Sequence, residues 1–266
     1  MVTLAVSNLA WMGHDEKEYL PVLLESGVTG IEIAPGLAFG DNPTRVPGHV
    51  SRKYARDLQE LGLTIVGLQA IFFQCPDIHL ISTGAEQRKF VDHCKAVVDL
   101  CAEVGGKSMV IGAPANRKLR GETLGAAVAI AAGNLRLIGD YAAQRGTYFT
   151  IEALPASACC EFICNLADAT DLVRLVDSPG VRGHLDTGAA CFESEEATVL
   201  PEDLGHVHVN DFLMQCPTDN ASQRRWANRV LESYQGVVSI EMRAAPHENE
   251  RQLRQAIQVT KQLYCL

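Results

Sequence analysis

Four residues in the second half of this 266-residue chain have the types and the spacing to hold a cation. They are Glu152 in FTIEALP, Asp186 in RGHLDTG, His208 in HVHVND and Glu241 in VSIEMR. Each sits in an otherwise apolar run, and the separations are 34, 22 and 33 residues. Taken singly, such a residue is more often a helix cap or an ion-pair partner than a ligand. Repeated in four consecutive runs they point to a metal, because an ionised carboxylate in apolar surroundings is costly unless it is paired or coordinated. Two Glu, one Asp and one His form an oxygen-rich set with one imidazole. That set suits Mn2+ as the expected ion, with Mg2+, Co2+ or Zn2+ as alternatives. Four protein ligands on a six-coordinate ion leave two positions for a substrate hydroxyl and carbonyl. Chemistry of that kind is isomerisation or epimerisation through a metal-bound enediolate.

The elements that must position these side chains follow from hydropathy. Short β-like runs are expected at Leu4 to Asn8, Gly30 to Ala34, Thr64 to Ala70 and Ser108 to Gly112. Four more are expected at Tyr148 to Ala153, Val181 to Asp186, His206 to Asn210 and Val237 to Met242. Between them lie EKEYLPVLLESG, RKYARDLQELG, EQRKFVDHCKAVVDLCAEVGG, ETLGAAVAIAAGNLRLIGDYAAQRG and DATDLVRLVDS, and NERQLRQAIQVTKQLY follows the last. Most have apolar residues at helical spacing, and several have Gly just past the end. Alternating strands and helices imply parallel pairing with right-handed crossovers. Eight units of about 33 residues match the roughly 250 residues of a (β/α)8 TIM barrel, predicted here as a single domain over 1–266. A doubly wound sheet would want a G-x-G-x-x-G turn after an early strand, and the sequence has none. In a barrel the C-terminal strand ends form the active face, so four successive strands would aim one ligand each at a common point.

IEALP, HLDTG, HVHVND and SIEMR resemble the metal-binding strand ends of the xylose isomerase-like TIM barrels, the sugar phosphate isomerase/epimerase superfamily. SNLAW, GIEIAP, LQAIFF and GAPANR are similar to one branch of it. The resemblance implies Glu152, Asp186, His208 and Glu241 as ligands of one divalent ion. It further implies Glu152 and Glu241 as the acid/base pair that exchanges protons with the two faces of a substrate carbon, a division of labour that suits opposed carboxylates. Two positions depart from the family pattern. DTGAA places Gly188 or Ala189 where many members carry a substrate-touching His, and Leu154, Pro155 and Ala156 follow the first Glu where Asn or Arg is common. The departures suggest a smaller, less polar or differently placed substrate than a ketose.

Further candidates surround the quartet. His184 and His206 each precede a ligand by two residues and so share its strand face; they are expected to support a ligand or meet substrate, or else to pack in the barrel. Asn210 and Arg243 lie two residues beyond a ligand, and Arg243 is expected to hold a phosphate, carboxylate or hydroxyl, or else to pair with Glu32. Glu32 itself is a candidate for a substrate hydroxyl or an Arg partner. Trp11, Phe72 and Phe73 are candidates for an apolar wall. Arg117 and Asn116 are weaker polar candidates. Cys159, Cys160 and Cys164 would need a nearby His base to act as nucleophiles.

Composition narrows the function classes. The net charge of −9 argues against a nucleic-acid partner, whose phosphates call for Lys and Arg. No apolar run is long enough to span a bilayer. Nine cysteines without C-x-x-C fit reduced thiols and a cytoplasmic location rather than zinc binding. The expected function is therefore metal-dependent isomerisation or epimerisation of a small sugar, sugar phosphate or related hydroxy-carbonyl compound, in a protein that the resemblance suggests is a homodimer or homotetramer. A metal-dependent dehydratase or lyase acting on a cyclitol or keto-sugar is the alternative. An endonuclease IV-like phosphodiesterase is more remote, because the first four strand ends carry Asn8, Ala34, Ala70 and Gly112 rather than further His ligands.

Overall fold

The computed structural model describes residues 2–40, 42–193, 200–243 and 249–266. Eight strands alternate with helices: β1 (Thr3–Ser7), β2 (Gly30–Ile33), β3 (Thr64–Leu68), β4 (Ser108–Ile111), β5 (Tyr148–Ile151), β6 (Val181–Asp186), β7 (Leu204–Val209) and β8 (Val237–Ile240). Every neighbouring pair is parallel, and β1 pairs with both β2 and β8, so the sheet closes. The (β/α)8 architecture expected from the alternation is the one the chain adopts. Most strands stop one or two residues short of the apolar run, because the last residues turn into the loops that carry the site. Strand β7 instead begins two residues earlier, at Leu204.

The crossover helices follow their sequence signals. The helices Glu16–Glu25 and Gly84–Glu103 are each closed by a glycine with positive φ, Gly27 (φ 70°) and Gly105 (φ 83°). That conformation costs a residue with a Cβ but not glycine. Asp15 and Thr123 cap their helices by accepting the Lys17 and Ala126 N–H groups. A further crossover helix, Ala221–Ser233, escapes the hydropathy reading because Gln223, Trp226, Ala227 and Val230 are its only buried residues.

The barrel has two faces of opposite character. Outward side chains such as Ile31, Ile33, Met109, Ile111, Phe149, Val207, Val209 and Ile240 are fully or almost fully buried against the helices. Burying each contributes about 1.5–3 kcal/mol. The lumen, where branched aliphatics usually stack in layers, holds polar groups instead. Ser108, Thr150, His184, His206, Glu32 and Ser239 are all buried and bond to one another across it. A hydrogen-bonded lumen of this kind is stable only if its members satisfy one another.

Candidate metal centre and the cavity above it

The C-terminal ends of β5, β6, β7 and β8 bring one side chain each to the barrel axis. Glu152, Asp186, His208 and Glu241 offer ligand atoms that all lie within 4.8 Å of one another. All four are at least nine-tenths buried. Each is held by its surroundings. The Arg117 guanidinium donates to the Glu152 backbone carbonyl from a fully buried position. Asp186 accepts from the Ala189 N–H at 2.7 Å and from the Asn210 amide at 2.8 Å. Asn210 also lies 3.4 Å from Glu241 Oε2.

His208 is oriented from below. Its Nε2 lies 3.0 Å from Glu32 Oε2 and 3.2 Å from Oε1. An Nε2–H held on this carboxylate directs Nδ1 toward the other carboxylates, where its lone pair becomes available once that nitrogen is deprotonated. Nδ1 lies 3.2 Å from Glu241 Oε2, yet it makes no well-directed hydrogen bond and is cut off from solvent. A buried imidazole nitrogen without a donor, ringed by three carboxylates, fits a divalent cation, and the carboxylate–histidine arrangement behind it is a common support for a metal-bound imidazole.

The electrostatics agree with that fit. Burial, and then the charges of Glu241 and Asp186, push Glu152 well above the usual carboxylate range. Burial and Glu241 push Asp186 up to about 6. Burial alone would lower His208, but Glu241 and Glu32 outweigh it and hold the imidazole well above its ordinary value. Burial would raise Glu32, but His208 and His206 outweigh it and keep the carboxylate well below the ordinary range. For Glu152 and Asp186 the charge of His208, joined by Arg117 at Glu152, does not offset burial and mutual repulsion, whereas for Glu32 the two imidazoles more than offset burial.

Two glycines make room for this arrangement. A Cβ on Gly112 would overlap Glu152 Oε2, and a Cβ on Gly188 would overlap the Asn210 side chain. The glycine in DTGAA opens the space from which Asn210 reaches Asp186.

The other expected site residues fall into different places around the quartet. His184 and His206 do not reach the cavity. They lie in the lumen, fully buried, with Nδ1 on Thr150 and Ser108 respectively, yet close to the ligands: potential ligand atoms of His184, Glu152 and His208 lie within 4.8 Å of one another, as do those of His206, Glu32 and His208. Glu32 meets neither substrate nor arginine, since His206 Nε2 (3.1 Å), His208 and Ser239 (2.7 Å) take its oxygens. Trp11 is buried, stacks on Tyr19 at 5.8 Å and reaches the Glu16 carboxylate, so it packs beneath the first helix instead of lining the cavity. Arg243 is exposed on the rim and is not paired with Glu32. The thiols of Cys160 and Cys164 donate to backbone carbonyls, and burial pushes Cys164 up to about 11, which leaves neither poised as a nucleophile. All nine cysteines are free. Among the described residues, no helix is long and apolar enough to cross a membrane.

Above the quartet opens a cavity of about 730 Å3, reached by Glu152, Asp186, Asn210 and Glu241 from its floor. Five non-glycine residues with positive φ line it: Ala70, Gln74, Cys159, Leu213 and Met214. Backbone held in that region is strained and tends to gather at ligand sites. Hydropathy gives no signal for these positions.

The sequence profile of the xylose isomerase-like TIM barrel family matches residues 20–263. The chain belongs to that family. A search of curated protein sequences returned no significant match. Solved structures share the fold at low identity. A D-psicose 3-epimerase from Clostridium cellulolyticum H10, solved with D-tagatose, superposes with a TM-score of 0.80 at 13% identity over 99% of both chains. The 3-keto-D-glucoside 4-epimerase of E. coli gives 0.76 at 20% identity, over 97% of this chain and all of the other. An L-ribulose 3-epimerase gives 0.76 at 16% identity, over 99% and 95%.

Proposed function

We propose that this protein is a divalent-metal-dependent isomerase or epimerase of a sugar or related hydroxy-carbonyl compound. The observation that carries the reading is the convergence of Glu152, Asp186, His208 and Glu241 on one point at the floor of the cavity, two of the four being glutamates able to carry protons. The similar folds of enzymes described as ketose and keto-glucoside epimerases support it.

Glu152, Asp186, the Nδ1 of His208 and Glu241 would hold the ion. When bound, it supplies a Lewis acid that polarises a substrate carbonyl and stabilises the charge left by proton removal. The proton itself is handled by the protein. Glu152 and Glu241 come from β5 and β8, with Asp186 and His208 between them in strand order. One carboxylate takes the proton from the carbon next to the carbonyl, and the conjugate acid of the other returns one. Arg117 fixes the backbone that carries Glu152, and Asn210 bridges Asp186 and Glu241, so the bases are held in place before substrate arrives. Burial keeps bulk water from competing for the proton.

Metal analysis and solvent-deuterium incorporation test the reading together. Purified protein is expected to hold about one Mn2+ or similar ion per chain, and to place one deuterium on a ketose or keto-glycoside with the carbon skeleton retained. Failure to bind any divalent ion at millimolar supply would overturn it.

A further inference from the structure

The cavity is far less polar than a sugar. Its polar floor comes from the ends of β5 to β8. The wall above the ends of β1 to β3 is built from Leu9, Leu37, Ile71, Phe72 and Phe73, and the loop after β7 closes over it with Phe212, Leu213 and Met214. Two of the polar side chains on the early-strand side have their amide N–H groups engaged within the protein, which leaves Gln74 and, at the rim, Arg243 as the polar groups facing the opening. The Gln69 amide donates to Ser7, and the Asn116 amide donates to the carbonyls of Cys75 and Ile78. A small sugar seated over the floor would leave this side of the cavity unfilled. About 300–1,000 Å3 is the size of pocket that buries a drug-sized molecule, and 730 Å3 lies well within that range.

The rim repeats the pattern. Met12 (42% exposed), Leu37 (41%), Phe73 (56%) and Leu213 (63%) all border the cavity with their side chains open to solvent. Large apolar residues left exposed together around one opening mark a binding surface. Leu213 and Met214 hold their positions with positive φ (62° and 57°), a conformation bulky side chains adopt only where the surroundings enforce it. Few hydrogen-bonding groups face this half of the cavity, chiefly Gln74 and Arg243 at its edge, and burying several hydroxyls there without partners would oppose binding.

We propose that the substrate is amphipathic: a hydroxy-carbonyl sugar head, seated over Glu152, Asp186, Asn210 and Glu241, that carries an apolar substituent, alkyl or aryl, lying against the wall above β1 to β3. The assignment of the head rests on the proposed function; the assignment of the tail rests on the wall and rim.

A homologous series separates the two. The probes are methyl, butyl and hexyl 3-keto-β-D-glucosides, with D-fructose and D-psicose as sugars lacking a tail, each titrated calorimetrically into Mn2+-loaded protein. Deuterium incorporation is followed in parallel. Affinity is expected to rise about fourfold per methylene and to exceed that of both free ketoses. Leu213→Asp, a change at an exposed residue, is expected to flatten the series while leaving the Mn2+ affinity unchanged. Flat affinity across the series, with exchange seen on D-psicose, would overturn the tail and leave the proposed function standing. A rising series with no exchange on any probe would uphold the tail and overturn the acid/base reading. If the apolar rim instead joins copies of this chain, Leu213→Asp would shift the sedimentation of the protein and leave the series unchanged, which also overturns the tail.

Discussion

The Glu32 carboxylate reaches across the barrel lumen from β2 to lie 3.0 Å from Nε2 of His208 on β7, 176 residues later in the chain. It holds the Nε2 side of His208 away from the cavity, and it is itself anchored by Ser239 and His206. Glu32→Gln keeps the shape but lets the ring turn or change tautomer. Mn2+ affinity is expected to fall about 10- to 100-fold, the usual cost of losing such a support. Titration of metal-free protein followed by electron paramagnetic resonance measures this, with circular dichroism to show that the fold persists.

The two glycines give a steric prediction. Gly112→Ala drives a methyl into Glu152, and Gly188→Ala drives one into Asn210. Each is expected to weaken metal binding at least tenfold without unfolding the barrel, Gly112→Ala by displacing a ligand and Gly188→Ala by releasing Asp186. If metal analysis finds either variant fully loaded under limiting Mn2+, the described packing of that ligand is wrong.

Stability in the absence of metal should depend on pH with a definite sign. Asp186 is raised from 3.8 to about 6, and Glu152 is raised as well. The folded state then holds protons that the unfolded chain has already released, so metal-free protein loses stability as pH rises from about 4 through 6 and beyond. His208, also raised, acts in the same direction, its contribution being lost as pH climbs through its folded-state value. Glu32 is lowered, so its contribution is present above its ordinary value and lost only on strong acidification. In EDTA the melting temperature is expected to fall between pH 5 and 7, and saturating Mn2+ should remove most of that fall. Metal affinity should climb over the same range, because binding releases protons.

The paired glutamates can be separated from a single-base mechanism. Glu152→Gln and Glu241→Gln are each expected to lower turnover about 10^2- to 10^4-fold, the usual worth of a positioned acid or base. Single-turnover exchange in D2O then discriminates. With one base lost, each variant should still wash label into one epimer while failing to invert it. Equal retention of inversion in either variant would rule out the two-base scheme.

Much of the fold could be read from the chain. The periodicity of EQRKFVDHCKAVVDLCAEV, the glycines at 27 and 105, and the apolar runs around Ile31, Met109 and Val207 are local signals, and local backbone and burial preferences decide them. The four ligand-type residues were legible for a related reason. A charge in an apolar strand is a local anomaly, and its recurrence once per β/α unit needs no knowledge of contacts.

The tertiary structure decided what surrounds the quartet. Glu32 and His206 look like site residues in sequence, yet a side chain's depth along the barrel axis depends on strand stagger, and one layer separates a ligand from the network beneath it. Trp11 packs away from the cavity that Arg243 lines, because whether a residue after a strand turns in, packs under a helix or stays on the rim is set by loops whose conformation has no periodic signature. Asn210 and Gly188 gain their meaning only together, when β6 and β7 lie side by side. The apolar wall is assembled from four separate loops, so no single stretch announces it. The sequence by itself determined the barrel and the likeness of its four strand ends to a metal site; only closure of the sheet decided which polar groups hold one another, and which remain free to meet a ligand.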